Sequence, residues 1–293
     1  MKRSAALTLA PGAVGELALY IRLVKFRIVA LLLLVALTSA LVAAGGAWPG
    51  WRLAWLALGG GLAAAGASVL NHYFDRDIDR LMGRTWGRPL PSGRLSPTPA
   101  LLWGLLLIAL SVPASLRLGM GVTAFILLGA LVYVAVYTLG VKRRTPWNVV
   151  IGGLSGSCAI LAGWLAVNPA LSPLAYLLAG LVLLWTPVHF WGFALVYRGD
   201  YQQAGVPMLP VVAGEKATAR HILLGSTLVV VLSLALSLYF GWLYLAAALG
   251  MGALLMKVSW DLVRGRGKAW DAYKLSGPYL ALLFLAMALD VLI

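Results

Sequence analysis

Three oxygen-bearing side chains, spaced four residues apart in the first long polar segment, could together hold a divalent cation. They are Asn71, Asp75 and Asp79. On a helix this spacing places the three side chains one above another on the same face. Hard cations such as Mg²⁺ prefer oxygen ligands and often share them with a substrate phosphate. The spacing therefore predicts a metal-bridged diphosphate site. Asp77 lies off this face, and we expect it to pair with Arg76, Arg80 or Arg84.

A second polar segment carries a compact group of cations, Lys142, Arg143 and Arg144. One interpretation is that these cations are merely a topological anchor, because basic residues flank many membrane helices. Beside a metal–carboxylate site, the same side chains would neutralise a departing diphosphate. Lys142 and Arg143 are therefore candidate catalytic residues.

A third polar segment, residues 197–210, contains a single acid, Asp200. It is the remaining candidate metal ligand to face Asn71, Asp75 and Asp79, which we call the carboxylate stripe. Just before it, Pro187 and His189 lie within an apolar run between aromatic residues. A histidine inside a membrane helix is a functional candidate, and its aromatic neighbours could line a flat apolar ligand. Alternatively, His189 bonds a backbone carbonyl that Pro187 frees. His72 is either an interfacial hydrogen-bonding residue or a haem ligand.

The elements that must position these residues are membrane helices. Hydrophobic residues make up 62% of the 293 residues and charged residues 11%, which excludes a water-soluble globular domain. We predict an all-α polytopic membrane protein whose nine spanning helices form a bundle around a central cavity open to the cytoplasmic face. The predicted spans lie near residues 23–44, 53–72, 99–116, 120–140, 147–167, 173–195, 220–241, 243–260 and 275–292.

The basic residues are distributed unevenly between the two ends of this predicted bundle. Of the 23 Lys and Arg residues, only Arg52 and Arg117 fall on one side. The net charge of +14 therefore indicates membrane topology and not nucleic-acid binding. It predicts a plasma-membrane protein with a cytoplasmic tail at residues 1–20, cytoplasmic active-site loops and an external C-terminus. The positions of the long loops suggest one domain over residues 1–293, with two similar four-helix halves and a final helix.

Four blocks of this sequence resemble motifs of the UbiA-type intramembrane prenyltransferases. They lie at residues 71–90, 137–153, 187–210 and 279–285, and the start of the first span at Lys25 and Arg27 fits as well. The blocks are closest to the branch that farnesylates protohaem IX. The chain departs from the wider superfamily at Ala204, where a second carboxylate is common. It also has Phe26 where Pro is usual.

The resemblance implies an Mg²⁺-dependent transfer of a farnesyl group from farnesyl diphosphate to a vinyl group of haem b, giving haem O and diphosphate. Alternatives are a quinone-precursor or other tetrapyrrole acceptor, or a haem-binding or transport protein without enzymatic activity. Expected partners are the lipid bilayer and a downstream haem-modifying enzyme. The implied metal ligands are Asn71, Asp75, Asp79 and Asp200. The implied substrate-binding residues are His189, His72, Arg84, Arg88, Tyr137, Asp200 and Tyr201.

Overall fold

The computed structural model describes residues 13–293 and is helical throughout its regular structure. Its α-helices are α1 (Ala13–Leu23), α2 (Phe26–Ala43), α3 (Trp51–Phe74), α4 (Arg76–Asp79), α5 (Pro97–Leu116), α6 (Met120–Leu131), α7 (Asn148–Gly152), α8 (Leu154–Leu165), α9 (Pro173–Val196), α10 (Arg198–Gln203), α11 (Leu209–Val212), α12 (Gly214–Leu236), α13 (Trp242–Val263) and α14 (Ala269–Leu292). A π-helix, Val132–Val141, continues α6.

Nine helical segments in the described part of the chain are long and apolar enough to cross a membrane. They are α2, α3, α5, α6 with its π-helix, α7 with α8, α9, α12, α13 and α14. This confirms the predicted fold class, an all-α polytopic membrane protein. The seventh and ninth spans begin at Gly214 and Ala269, six residues before the predicted starts. Hydropathy identifies only the apolar part of each helix, whereas these two helices begin with polar turns.

Successive spanning helices pack side by side, and α2 closes the ring by contacting both α3 and α14. Small residues permit the closest approaches. A Cβ atom on Gly163 of α8 would lie 2.1 Å from the carbonyl oxygen of Ala36 in α2. One on Gly66 of α3 would lie 2.7 Å from the carbonyl oxygen of Gly104 in α5. Small side chains drive helix packing in lipid in this way, since apolar burial contributes little there.

The first described helix, α1, precedes the spanning bundle. Leu19 and Leu23 are buried against Val69 of α3 and Leu107 of α5. Residues 13–20 of the predicted tail are therefore helical, and residues 1–12 lie outside the described part of the chain. The polar segments 75–96, 142–147 and 197–213 meet at one end of the bundle, which we call the loop face.

Candidate active site

The centre of the loop face is the buried carboxylate of Asp75, which follows directly after α3. Its Oδ2 atom accepts a hydrogen bond of 2.7 Å from the Asn71 side-chain amide and pairs with the Lys142 ammonium group. Its Oδ1 atom is buried and has no hydrogen-bond partner among the described residues. Although α3 ends at Phe74, the backbone N–H groups of Asp75 and Asp79 each bond to the carbonyl four residues earlier. This keeps Asn71, Asp75 and Asp79 in helical register.

Asp79 is held by the loop that follows it. Its carboxylate is buried and accepts a 2.8 Å hydrogen bond from Arg88. The Thr85 hydroxyl donates to the Asp79 carbonyl oxygen at 2.9 Å, so the loop folds back onto the end of α4. Arg88, predicted from the family resemblance to bind substrate, thus lies directly beside one member of the carboxylate stripe.

The π-helix positions several polar side chains near Asn71 and Asp75. Its backbone bonds connect residues five apart, as in the 2.9 Å bond from the Lys142 N–H to the Tyr137 carbonyl oxygen. Tyr133 and Tyr137 stack with ring centroids 5.8 Å apart, and the Thr138 hydroxyl accepts from Asn71 at 2.9 Å. Lys142 lies 5.9 Å from the centroid of the Tyr137 ring. π-Helices are rare and frequently occur at functional sites.

Lys25, immediately before α2, is a site residue that sequence reasoning did not select. Its ammonium group donates to the Asn71 side-chain oxygen at 2.5 Å and to the Tyr133 hydroxyl at 2.9 Å. Burial, followed by the nearby charges of Arg88 and Lys142, lowers the pKa of Lys25 to about 7. The available signal was a lysine between Arg22 and Arg27 at the start of the first apolar run, and such a basic group resembles an ordinary membrane anchor.

Arg143 points away from the centre, unlike its neighbour Lys142. It donates two hydrogen bonds, of 2.6 and 2.7 Å, to the Asp77 carboxylate and one of 3.0 Å to the Phe74 carbonyl oxygen. The hydrogen bonds from Arg143 lower the pKa of Asp77. The expected pairing of Asp77 with Arg76, Arg80 or Arg84 is therefore wrong. A residue 66 positions away approaches more closely because the π-helix packs beside α3. Arg143 remains 4.0 Å from Oδ1 of Asp75.

Asp200, in α10, ties the third polar segment to the first. Its two oxygens accept from the backbone N–H groups of Gly83 and Arg84 at 3.2 and 3.3 Å. The Arg84 side chain lies 3.7 Å from Asp200 and donates to the Tyr201 hydroxyl at 3.1 Å. Arg84 also lies about 5 Å from the ring centroids of Phe193, Tyr197 and Tyr201. Both oxygens of Asp200 thus already hold the 83–84 backbone.

An aromatic wall leads from this arginine into the bundle. The His189 ring stacks on Trp185 at 4.7 Å and contacts Tyr273 at 4.8 Å, and Tyr273 lies 5.0 Å from Phe193. Nδ1 of His189 lies 2.8 Å from the Ser276 hydroxyl, which itself donates to the Tyr273 carbonyl oxygen. Since that hydroxyl proton is used, Nδ1 of His189 carries a proton and donates. This leaves the Nε2 lone pair available to a ligand.

The second histidine candidate, His72, lies in the last turn of α3. It is buried in α3, and its Nδ1 atom has no hydrogen-bond partner within the described part of the chain.

The residues around Asp75 fit a divalent cation in part. A buried carboxylate oxygen without a partner is the donor that a hard cation requires. Among the side chains that the structure describes, however, no three of His, Cys, Asp or Glu are arranged to hold a metal by themselves. A cation here would depend on Asn71, Asp75 and Asp79, with the remaining ligands supplied by substrate phosphate.

Solved structures share this fold. The chain superposes on a structure of digeranylgeranylglyceryl phosphate synthase with a TM-score of 0.76 and 21% identity, over 94% of this chain and 99% of that one. A UbiA homologue from Aeropyrum pernix gives a TM-score of 0.75 and 20% identity, over 91% and 99% of the two chains. A UbiA homologue from Archaeoglobus fulgidus gives 0.69 and 20%, over 94% and 99%.

Curated relatives match in sequence. The chain is 44% identical to protoheme IX farnesyltransferase 1 of Cenarchaeum symbiosum, over 91% of this chain and 93% of the relative. It is 43% identical to protoheme IX farnesyltransferase of Chloroflexus aurantiacus over 94% of this chain, and it spans only 48% of that longer protein. The sequence profile of the UbiA prenyltransferase family matches residues 32–288. The chain therefore belongs to the UbiA prenyltransferase family.

Proposed function

We propose that this chain transfers the farnesyl group of farnesyl diphosphate to a vinyl group of haem b. The bond from farnesyl carbon to diphosphate oxygen breaks, and a carbon–carbon bond to the vinyl group forms. Water adds to the other vinyl carbon, which gives the hydroxyethylfarnesyl group of haem O and releases diphosphate and a proton. Curated relatives that this chain covers over nearly their whole length carry the corresponding name.

The observation that carries this proposal is the set of cations around the buried Asp75 and Asp79 carboxylates. Lys25, Lys142 and Arg88 each contact a member of the carboxylate stripe. They would receive the oxygens of the diphosphate and stabilise its charge as it leaves. Asp200 would act indirectly, by holding the backbone at Gly83 and the side chain of Arg84.

Asn71, Asp75 and Asp79 are the residues that would hold Mg²⁺, through the amide oxygen and the carboxylates. When bound, the cation would supply Lewis-acid stabilisation of the diphosphate. Support comes from a UbiA homologue of A. fulgidus that was solved bound to GPP and Mg²⁺. Asp75 would offer its unpartnered Oδ1 atom, whereas the Asn71 amide oxygen would exchange its contact with Lys25 for one to the cation. Lys25 would then be free to bind phosphate oxygens, beside Lys142 on the other oxygen of Asp75.

The aromatic wall is the proposed surface for the haem acceptor. A porphyrin is flat and apolar at its faces, as are the rings of Trp185 and Tyr273. His189 would bring its Nε2 atom to the haem iron, with its other nitrogen oriented by Ser276. His72 is the second candidate, and its burial in α3 makes it the weaker one.

We further propose that the loop face is cytoplasmic and that the membrane is the plasma membrane. The basic residues support this, since Arg52 and Arg117 lie at the opposite end of α3 and α5. Haem O would pass to a downstream haem-modifying enzyme. The two-half organisation is supported by short helices in equivalent loops, α4 after the second span and α10 after the sixth.

The decisive experiment is to incubate the purified protein with haem b, farnesyl diphosphate and Mg²⁺ and to determine the mass of the haem product. The proposal requires the mass of haem O and its loss in Asp75→Ala or Asp79→Ala, with both variants still inserted in the membrane. A quinone precursor offered in competition tests the acceptor. If the quinone precursor is prenylated in preference to haem, the acceptor is an aromatic ring and not haem. If the protein binds haem without turnover, it is a haem-binding protein.

A further inference from the structure

Two adjoining cavities open on the outer side of the bundle, between α3, α5 and the α6 segment with its π-helix. The first, of 430 Å³, is lined by Arg76, Arg80, Arg143 and Asp77, with Phe74 and Leu139 below them. We call this cavity the mouth. The second, of 240 Å³, is lined only by apolar side chains, among them Leu70, Leu131 and Ala135. We call it the slot. Neither cavity contains Asp75, Asp79 or Lys142.

The slot continues the mouth toward the middle of the bundle. Leu70 in the slot and Phe74 in the mouth are four residues apart on α3, so they occupy successive turns. Ala135 and Leu139 are related in the same way on the π-helix. The side chains of Ala130 and Ala135, which line the slot, are small and do not fill it. The two cavities therefore lie end to end along α3 and the π-helix, and we call the pair the groove, with a charged outer end and an apolar inner end.

The mouth carries an excess of positive charge. Arg143 and Asp77 neutralise each other through their paired hydrogen bonds. Arg76 stacks 4.3 Å from the Tyr73 ring centroid and donates to the Tyr73 carbonyl oxygen. Arg80 donates to the Pro91 carbonyl oxygen at 3.1 Å. These contacts fix both guanidinium groups at the groove, yet neither forms an ion pair with a carboxylate among the side chains that the structure describes.

We propose that this groove binds an anionic phospholipid of the surrounding bilayer. The phosphate would lie on Arg76 and Arg80, and one acyl chain would lie in the slot. A guanidinium group can donate two parallel hydrogen bonds to the oxygens of one phosphate. Basic pockets between membrane helices bind anionic lipid headgroups. The rim faces lipid, since Leu131 is 56% exposed and Leu139 is 49% exposed. The site is separate from the proposed diphosphate site, because Thr138 and Arg143 form the wall between them.

The test uses native mass spectrometry of the purified protein, titrated with phosphatidylglycerol and with phosphatidylcholine of the same acyl chains. We expect one phosphatidylglycerol to bind at least about tenfold more tightly than phosphatidylcholine. Arg76→Gln with Arg80→Gln should weaken phosphatidylglycerol about tenfold, and Ala135→Phe, which fills the slot, should weaken both lipids. The matched control is Arg264→Gln with Arg266→Gln, which removes the same charge elsewhere on the loop face. It should change affinity less than twofold.

Equal weakening by the control pair would overturn the proposal, because the attraction would then come from the general surface charge. Equal affinity for the two lipids would overturn it too, as would displacement of the lipid by inorganic diphosphate, which would identify the anion site as the substrate site. Thermal unfolding in detergent verifies that each variant is folded. If Ala135→Phe does not fold, the arginine pair and its control decide the question alone.

Discussion

Lys142 forms an ion pair with Asp75, a residue 67 positions earlier in the chain, through the Oδ2 atom of the carboxylate. The other carboxylate oxygen is buried and has no hydrogen-bond partner within residues 13–293. Burying an unsatisfied carboxylate oxygen is costly, and a bound cation would satisfy this atom. In the proposed function, this pairing would place Lys142 beside the charge that develops on the leaving diphosphate.

Asp75→Asn should lower the rate of farnesyl transfer by about 10²–10³-fold, because it removes the charge that holds the cation and orients Lys142 while keeping the side-chain shape. The measurement is haem O formation by mass spectrometry at saturating substrates. Glu215→Gln is the control, since this exposed acid on α12 pairs with Arg198. A rate for Asp75→Asn equal to that of the control would exclude the carboxylate from catalysis.

Asp200→Asn should leave the requirement for Mg²⁺ nearly unchanged, since both Asp200 oxygens hold the backbone of Gly83 and Arg84. We expect the Mg²⁺ concentration for half-maximal transfer to change less than about twofold. In Asp79→Asn the Mg²⁺ concentration for half-maximal transfer should rise about tenfold or more, because a residue of the metal site is lost. A comparable rise in Asp200→Asn would restore Asp200 as a direct ligand, as the sequence suggested.

The affinity for diphosphate should fall as pH rises above about 7. Burial and neighbouring cations lower the pKa of Lys25 to about 7, so the empty site increasingly holds neutral lysine above that pH. A bound diphosphate favours the protonated form, and binding must then take up a proton. The affinity would decrease by up to about tenfold per pH unit.

Calorimetric titration of the protein with inorganic diphosphate between about pH 7 and pH 9 measures this dependence. In Lys25→Arg the slope should flatten, since a guanidinium group stays charged throughout that range. The same slope in both proteins would assign the dependence to another group.

His189→Ala should weaken the binding of haem b and shift its Soret band. It removes the Nε2 atom that the Ser276 contact leaves free. The control is His221→Ala, because Nδ1 of His221 bonds to the Ala217 carbonyl oxygen one turn earlier on α12 and the ring lies between Trp147 and Trp191. Haem titration followed by absorbance compares the two variants. Identical spectra for His189→Ala and the unaltered protein would reject His189 as the ligand.

Gly163→Ala should lower the free energy of unfolding by about 1–3 kcal/mol, as expected for overpacking, because the new methyl group would meet the Ala36 backbone. Gly250→Ala, at a helical glycine with nothing within 4 Å of the added atom, should be neutral or slightly stabilising. Thermal unfolding in detergent measures both changes. Equal stability of the two variants would show that α2 and α8 do not approach as closely as described.

The spanning helices could be predicted from the sequence because a bilayer imposes a length and a hydropathy on each of them. The carboxylate stripe could be predicted because Asn71, Asp75 and Asp79 are close in the chain and share one helical register. Lys25 could not be selected, since its contact with Asn71 crosses 46 residues. The same limit applies to Asp77, whose partner Arg143 lies 66 residues away. The sequence supplies charges for such pairs but not the packing that brings them together.

The π-helix at Val132–Val141 also sets a requirement on chain length. Each of its turns contains more residues than an α-helical turn, so the segment accommodates surplus chain between α6 and Lys142. Deleting one residue, for example the exposed Val136, would let the segment relax toward an α-helix. Because a residue turns through a different angle in an α-helix than in a π-helix, the direction of Lys142 relative to α3 would change. Lys142 would no longer face Asp75, although no residue of the site had been replaced.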